Sequence, residues 1–185
     1  LDVIKDTMYS EDADSKKRRM HQTILFDMLN VLTKLLAPIL SFTCEEVYQT
    51  FYSDKDSVHL DLFPTSDNFE IDDDLEAKFK TIMDLKNDVY KAIEDSKSKD
   101  IVSNNLEAKI EIFSEDKDKL NSVKSFETEL KEFLIVSGFS IADKVISGSF
   151  EGKNGFTVKV EKAAGEKCER CWIYYDSVGS HEDHP

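Results

Sequence analysis

Leu106-Glu107-Ala108-Lys109-Ile110-Glu111-Ile112 is the stretch that decides the architecture. Apolar side chains at 106, 108, 110 and 112 alternate with charged ones at 107, 109 and 111. A period of two places the apolar set on one face of an extended segment, so these residues predict a half-buried β-strand. Upstream of them the apolar residues recur every three to four positions instead. Leu75, Phe79, Ile82, Leu85, Val89 and Ile93 give the face of a long helix. Asp72-Asp73-Asp74 opens that helix with negative charge at its positive dipole end. The helix fades into the polar break Ser96-Lys97-Ser98-Lys99.

Further upstream, Met20, Ile24, Met28, Val31 and Leu35 form one stripe, with Leu25, Leu29, Leu32 and Leu36 beside it. A stripe this wide predicts a helix buried between neighbours, and Pro38 ends it. Leu1, Ile4 and Met8 share a face at the opening of the chain, and Ser10 to Asp14 is a short acidic connection. Thr43 with Glu46 has the spacing of a capping box, and Phe42 with Val47 that of a hydrophobic staple. Val58-His59-Leu60 reads as a short extended piece before Phe63-Pro64. Downstream of the strand, Leu120, Val123, Phe126, Leu130 and Phe133 read as one helix. Leu134-Ile135-Val136 reads as a buried strand, and Phe156, Val158 and Val160 as another. The fold class is therefore mainly α. An antiparallel helical bundle over residues 1–99 is followed by a small α+β module over 100–163 and a terminal segment over 164–185.

The terminal segment carries the sharpest motif, Cys168-Glu169-Arg170-Cys171-Trp172. Two thiolates at this spacing can turn back onto one tetrahedral zinc ion, and structural zinc sites pair two such turns. Cys168 and Cys171 thus read as the first half of a zinc knuckle, with Gly165 suited to a tight loop. A redox pair is the weaker reading, because Ile173-Tyr174-Tyr175 does not look like a helix start. The plain alternative is two unrelated surface cysteines. His181 and His184 are poorly spaced for a local Cys₂His₂ set: two residues separate them, where fingers use about three to five. Trp172, the single tryptophan, lies beside Lys167 and Arg170 and can stack on a base. Packing over the metal loop is its structural alternative. Lys16-Lys17-Arg18-Arg19 falls in the first turns of a helix, where positive charge opposes the macrodipole. It reads either as a solvated face or as a set of phosphate contacts. Cys44, alone near a helix start, reads as structural.

The formal net charge of the 185 residues is −14, which weighs against nucleic acid in general. The imbalance is local, however. Acidic residues dominate between Asp61 and Asp100, while basic residues outnumber acidic ones between Lys144 and Trp172, and steering depends on the local patch. No apolar run approaches the length of a membrane span. The opening residues do not form a signal peptide, and three cysteines make no disulfide framework, so a cytoplasmic setting is expected. There is no Gly-rich phosphate loop, nucleophile elbow or HExxH motif, so no catalysis is expected from this chain alone. Leu1 in place of Met, and the unclosed stretch at Pro185, read as cut ends.

Taken together, these residues resemble the C-terminal region of bacterial-type isoleucyl-tRNA synthetases, which are class I enzymes. Leu1 to Asp6 with Met8-Tyr9 resembles the segment leading into their anticodon-binding bundle. Arg18-Arg19 with Gln22-Thr23 and Leu25 resembles the next helix. Leu32 to Leu40 with Glu45-Glu46-Val47 is a close match, as are Ser57 to Leu60 and Phe63-Pro64. Asn105 to Ile110 and Leu134 to Ser137 resemble strands of the small module. Lys167 to Trp172, with the distant His184-Pro185, resembles the start of the terminal zinc knuckle. Ser41 stands where the family often has Pro, and Tyr48 where it often has Trp.

The resemblance implies a parent protein that joins isoleucine to its tRNA, with ATP and Mg bound outside this chain. This chain would grip the anticodon stem-loop of tRNA(Ile) and act as part of a monomer. It would carry a structural zinc through Cys168 and Cys171, two of four expected ligands, since the family's second cysteine pair would follow Pro185. The implied tRNA contacts are Lys17, Arg18 and Arg19 on phosphates, and Lys167, Arg170 and Trp172 at the knuckle. The rivals are an acidic helical protein-interaction module with an incidental CxxC, and a redox-active thiol protein.

Overall fold

The computed structural model describes residues 2–52, 56–66 and 71–180. The chain divides into two compact units, Leu1–Ile71 and Asp72–Pro185. The first is helical. A 3-10 turn at Asp2–Ile4 leads into α1 (Lys5–Ser10), followed by α2 (Lys16–Leu36) and α3 (Ser41–Phe51). Ser15 caps α2, its hydroxyl accepting the N–H of Arg18 at 3.4 Å. A tight turn follows α2, in which the N–H of Leu40 bonds to Leu36 O at 2.8 Å.

That turn moves the start of α3. The helix begins at Ser41 with Leu40 as its N-cap and no side-chain cap bond. Thr43 is therefore already inside the helix, and the expected capping box is not formed. Phe42 is 93% exposed, so the expected staple is absent too. The expected extended piece Val58-His59-Leu60 is a 3-10 turn, capped by the Ser57 hydroxyl. Glu45 of α3 accepts both the Ser57 hydroxyl at 2.8 Å and the Val58 N–H at 3.0 Å, which ties this loop down. These bonds, that from Ser57 foremost, hold the Glu45 carboxyl below the usual range.

A part-buried polar cluster completes the first unit. The Tyr48 hydroxyl donates to Asp61 at 2.7 Å, and the Lys34 ammonium lies 3.0 Å from the same oxygen. The Tyr48 bond, followed by Lys34, holds the Asp61 carboxyl down at about 2. Burial, and then the Asp61 bond, push the Tyr48 phenol up to about 12. The apolar core here is small: Ala37, Cys44, Tyr48 and Val58. Cys44 has the structural place expected of it. The α2 stripe does not. Met20, Ile24, Met28, Leu32 and Leu35 are each at least half exposed among the described residues. The expectation of a helix buried between neighbours is corrected in this respect.

The second unit opens with α4 (Asp73–Ser98), capped by Asp72, whose carboxylate accepts the Leu75 N–H at 2.9 Å. A 3-10 turn at Asn105–Glu107 leads into β1 (Ala108–Phe113), the predicted strand. Then come α5 (Lys117–Lys124), α6 (Glu127–Leu134), β2 (Gly138–Ile141), β3 (Phe150–Glu151) and β4 (Thr157–Lys162). The sheet order is β2-β1-β4-β3. β2 runs parallel to β1, and the other pairings are antiparallel. On one face Ile110 pairs with Val160 and Ile112 with Val158; on the other, Lys109 faces Glu161 and Glu111 faces Lys159. Apolar pairs inward and opposite charges outward fix this register, since a slip of one residue would exchange the faces.

The α4 stripe belongs to this unit. Ile82, Leu85, Val89, Ala92 and Ile93 share one core with Ile110, Ile112, Phe156 and Val158. The boundary between compact units thus falls before α4, whereas the sequence places the module's start at residue 100. Asp88 of α4 is fully buried and accepts the Asn154 N–H and side-chain amide, each at 2.9 Å. A Cβ at Gly152 would lie 2.2 Å from that carboxylate, so only glycine allows the β3–β4 turn to approach.

Two further expectations are corrected. The helix read across Leu120 to Phe133 is two helices: Ser125 closes α5, and Phe126 is the N-cap of α6. The run Leu134-Ile135-Val136 is a helix end, not a strand. Ile135 adopts left-handed φ of 56°, and the Val136 N–H returns to Lys131 O at 3.1 Å, as in a Schellman turn. Its apolar character reflects burial of Leu134 and Val136 in that turn. No described helix is long and apolar enough to cross a membrane.

Candidate nucleic-acid interface

The terminal motif sits in a small hairpin of the second unit. β5 (Glu166–Lys167) pairs antiparallel with β6 (Tyr174–Tyr175), Glu166 opposite Tyr175 and Lys167 opposite Tyr174. Gly165 precedes it at φ +86°, and a Cβ there would lie 2.3 Å from the Tyr175 backbone. The expected tight-loop role of Gly165 is thus a direct steric need.

Cys168 to Trp172 form the turn between the strands. The Trp172 N–H bonds to Cys168 O at 2.9 Å, and the Cys168 N–H to Ile173 O at 2.9 Å. The N–H groups of Cys171 and then Arg170 bond to the Cys168 sulfur and hold its thiol below the ordinary value, favouring thiolate. No helix follows Cys171, so the geometry of a thioredoxin-type pair is missing. Two thiols in one turn supply two metal donors, not a closed tetrahedral set. Among the described residues no group of three or more His, Cys, Asp or Glu is placed to hold a metal ion. His181 and His184 lie outside the described residues.

Trp172 is the unusual residue of the turn. Its backbone is left-handed at φ +65°, a conformation bulky residues rarely adopt. The residue is 58% exposed, so packing does not explain it. The Lys167 ammonium lies 4.7 Å from the ring centroid. Arg170 is exposed one residue before Cys171. The unit thus gathers Lys167, Cys168, Arg170, Cys171 and Trp172 into one hairpin.

The fold adds two residues that sequence reasoning missed. Lys131 of α6 places its ammonium 4.2 Å over the Tyr175 ring. Burial pushes the Lys131 ammonium down, against the attraction of Cys171 and Glu132. No local pattern marks Lys131 and Tyr175, because they are distant in sequence and meet only once α6 and the hairpin have packed.

The second predicted group lies in the first unit. Lys17, Arg18 and Arg19 fall in the first turn of α2, as expected. Arg18 is half-buried and donates from Nη1 to the Glu11 carbonyl at 2.9 Å, closing the α1–α2 connection. Arg19 lies 3.6 Å from Asp14, both well exposed. A pair this exposed is worth a fraction of a kcal/mol and leaves Arg19 available to an anion.

The chain is similar over its length to isoleucine–tRNA ligases. It is 38% identical over 185 residues to that of Brachyspira hyodysenteriae, covering 100% of this chain and 20% of that protein. It is 40% identical over 187 residues to that of Persephonella marina, covering 97% and 20%. It is 38% identical over 182 residues to that of Staphylococcus epidermidis, covering 97% and 19%. The chain therefore spans about a fifth of the length of these relatives. The family model described as the anticodon-binding domain of tRNA ligase matches residues 1–112, more than half of the chain, and the chain belongs to that family.

Proposed function

We propose that this chain is the tRNA-binding part of an isoleucine–tRNA ligase, gripping the anticodon stem-loop of tRNA(Ile). The whole protein would attach isoleucine to that tRNA with ATP and Mg, bound outside these residues, as a cytoplasmic monomer of translation. The observation that carries the reading is Trp172, an exposed indole on left-handed backbone with a lysine over its ring. Exposed aromatics beside cations suit unstacked loop bases, which proteins read by stacking and edge contacts. Lys167 and Arg170 supply phosphate contacts close by, while Lys17 and Arg19 offer them from the other unit. Arg18, bonded to Glu11, orders the start of α2 and contributes long-range charge. The overall charge of −14 does not oppose this, because it is unevenly spread: basic residues outnumber acidic ones between Lys144 and Trp172, and steering depends on the local patch.

Zinc fits this reading as a structural ligand of the hairpin. Cys168 and Cys171 would hold it, and the N–H bonds to the Cys168 sulfur favour the ionised form it needs. Its chemistry there is a cross-link only. Two further donors are required to close the site, and the described residues do not supply them.

The test is binding of a tRNA(Ile) transcript to the full-length protein across a salt series. Affinity is expected to fall as salt rises, and the Lys167→Ala/Arg170→Ala double variant to flatten the log–log slope by about 1 to 2. Equal affinity and slope for the double variant would sink the assignment of these residues. Binding that does not respond to salt would sink the reading as a whole.

A further inference from the structure

The turn that displays Trp172 is itself held from below. Ser137, just before β2, is 8% exposed. Its hydroxyl donates to Leu106 O, beside the start of β1, and accepts the Tyr174 N–H at 2.8 Å. Its own N–H bonds to Ala108 O at 3.0 Å. One hydroxyl thus joins the sheet to the terminal hairpin, donating to one side and accepting from the other. Supporting contacts flank it. Ile173 is buried, the Tyr174 hydroxyl reaches Glu107 at 3.4 Å, and Lys131 covers the Tyr175 ring.

We propose that Ser137 is the positioning residue that seats the terminal hairpin on the α+β module and so aims Trp172. Tyr174 is two residues from Trp172. Between them Ile173 is held as well, its side chain buried and its carbonyl bonded to the Cys168 N–H. With the Trp172 backbone locked in its left-handed turn, pinning the Tyr174 N–H sets the direction of the indole. A side chain lacking either donor or acceptor leaves the Leu106 carbonyl or the Tyr174 N–H unpaired. The seat stands on this geometry alone. Its value in aiming the indole at RNA rests on the function proposed above.

The experiment uses the full chain. In the wild type, the Tyr174 amide is expected to exchange slowly, like Ile110 and Ile112 of β1, and unlike exposed Gly179. Ser137→Ala should speed Tyr174 exchange by about tenfold or more while β1 stays protected. Trp172, the single tryptophan, should then gain a fast component in its anisotropy decay. Ser137→Thr, which keeps the hydroxyl, should restore both signals. Wild-type Tyr174 exchanging as fast as Gly179 overturns the seat, whatever the variants do. Unchanged Tyr174 exchange and Trp172 anisotropy in Ser137→Ala overturn it equally. The aiming role is read with tRNA in the full-length protein. Ser137→Ala should weaken binding, and should add nothing when Trp172→Ala is already present. An equal additional loss in that background overturns the aiming role. Binding insensitive to Trp172→Ala counts against the RNA reading instead, and leaves the seat to be decided by exchange.

Discussion

Among the described residues, one long helix and a four-stranded sheet of Asp72–Pro185 close over sixteen buried apolar residues, while in Leu1–Ile71 only Ala37, Cys44, Tyr48 and Val58 form a buried cluster. The apolar residues of the first unit are not fewer by pattern. The stripes of α2 and α4 have the same helical period, yet Leu85 and Val89 are fully buried while Met28 and Leu32 are half exposed. The first unit is held in large part by polar locks: Tyr48 and Lys34 on Asp61, and Ser57 and Val58 on Glu45. Helical period records that a face is meant to be covered. It does not record what covers it.

The contrast can be broken most directly by truncation. Leu85→Ala should cost about 3 to 4 kcal/mol in urea unfolding followed in the second unit, the range for a fully buried leucine. Met28→Ala should cost less than about 0.5 kcal/mol, as for an exposed site. Similar costs at the two sites would remove the distinction. Asp88→Ala should cost about 2 kcal/mol, because it leaves the Asn154 N–H and amide without their buried acceptor. Unchanged unfolding would mean that the tie between α4 and the β3–β4 turn does not bear on stability.

The pH response should differ between units. The folded Asp61 carboxyl titrates at about 2, below its unfolded value of 3.8. Its contribution is therefore full above pH 4 and is lost as pH falls through about 2. The loss should be about 1 to 2 kcal/mol and absent in Asp61→Asn. Tyr48 works from the other side. Its folded phenol titrates at about 12 against 10.0 unfolded, so its contribution is present below pH 10 and is lost as pH rises towards 12. Probes on α3 should report both limits. Acid melting that disregards Asp61→Asn would contradict the polar-lock account.

The smallest effect on stability, and the most telling in sign, belongs to Trp172. Trp172→Gly removes a bulky residue from left-handed backbone, a conformation costing about 1 to 2 kcal/mol for L-residues, and this gain is offset by the freedom glycine has when unfolded. Thermal melting should therefore stay level or rise slightly, while tRNA affinity drops. A clear fall in melting temperature would make Trp172 a packing residue, its structural alternative.

Much of the second unit was legible. Asp72 to Asp74 mark the α4 start, and the alternation at 106–112 gives β1, because the cap and the period are both local. The Cys168–Trp172 turn was legible from its spacing, and Gly165 from the tight loop. The start of α3 was not, since the 37–40 turn overrides Thr43 and Glu46. Ile135 misled because burial makes a helix-ending turn as apolar as a strand. Lys131, Tyr175 and Ser137 carry no local signal; only the parallel β1–β2 pairing and the docking of the hairpin bring them to the site.

The central claim is that this chain binds the anticodon end of a tRNA. The most direct measurement compares tRNA(Ile) with the same tRNA carrying a foreign anticodon, as ligands of the full-length protein at fixed salt. A foreign base leaves edge contacts to the loop unpaired, at about 1 to 3 kcal/mol each, so the exchange should weaken binding by about tenfold or more. Equal affinity for the two tRNAs would contradict the account.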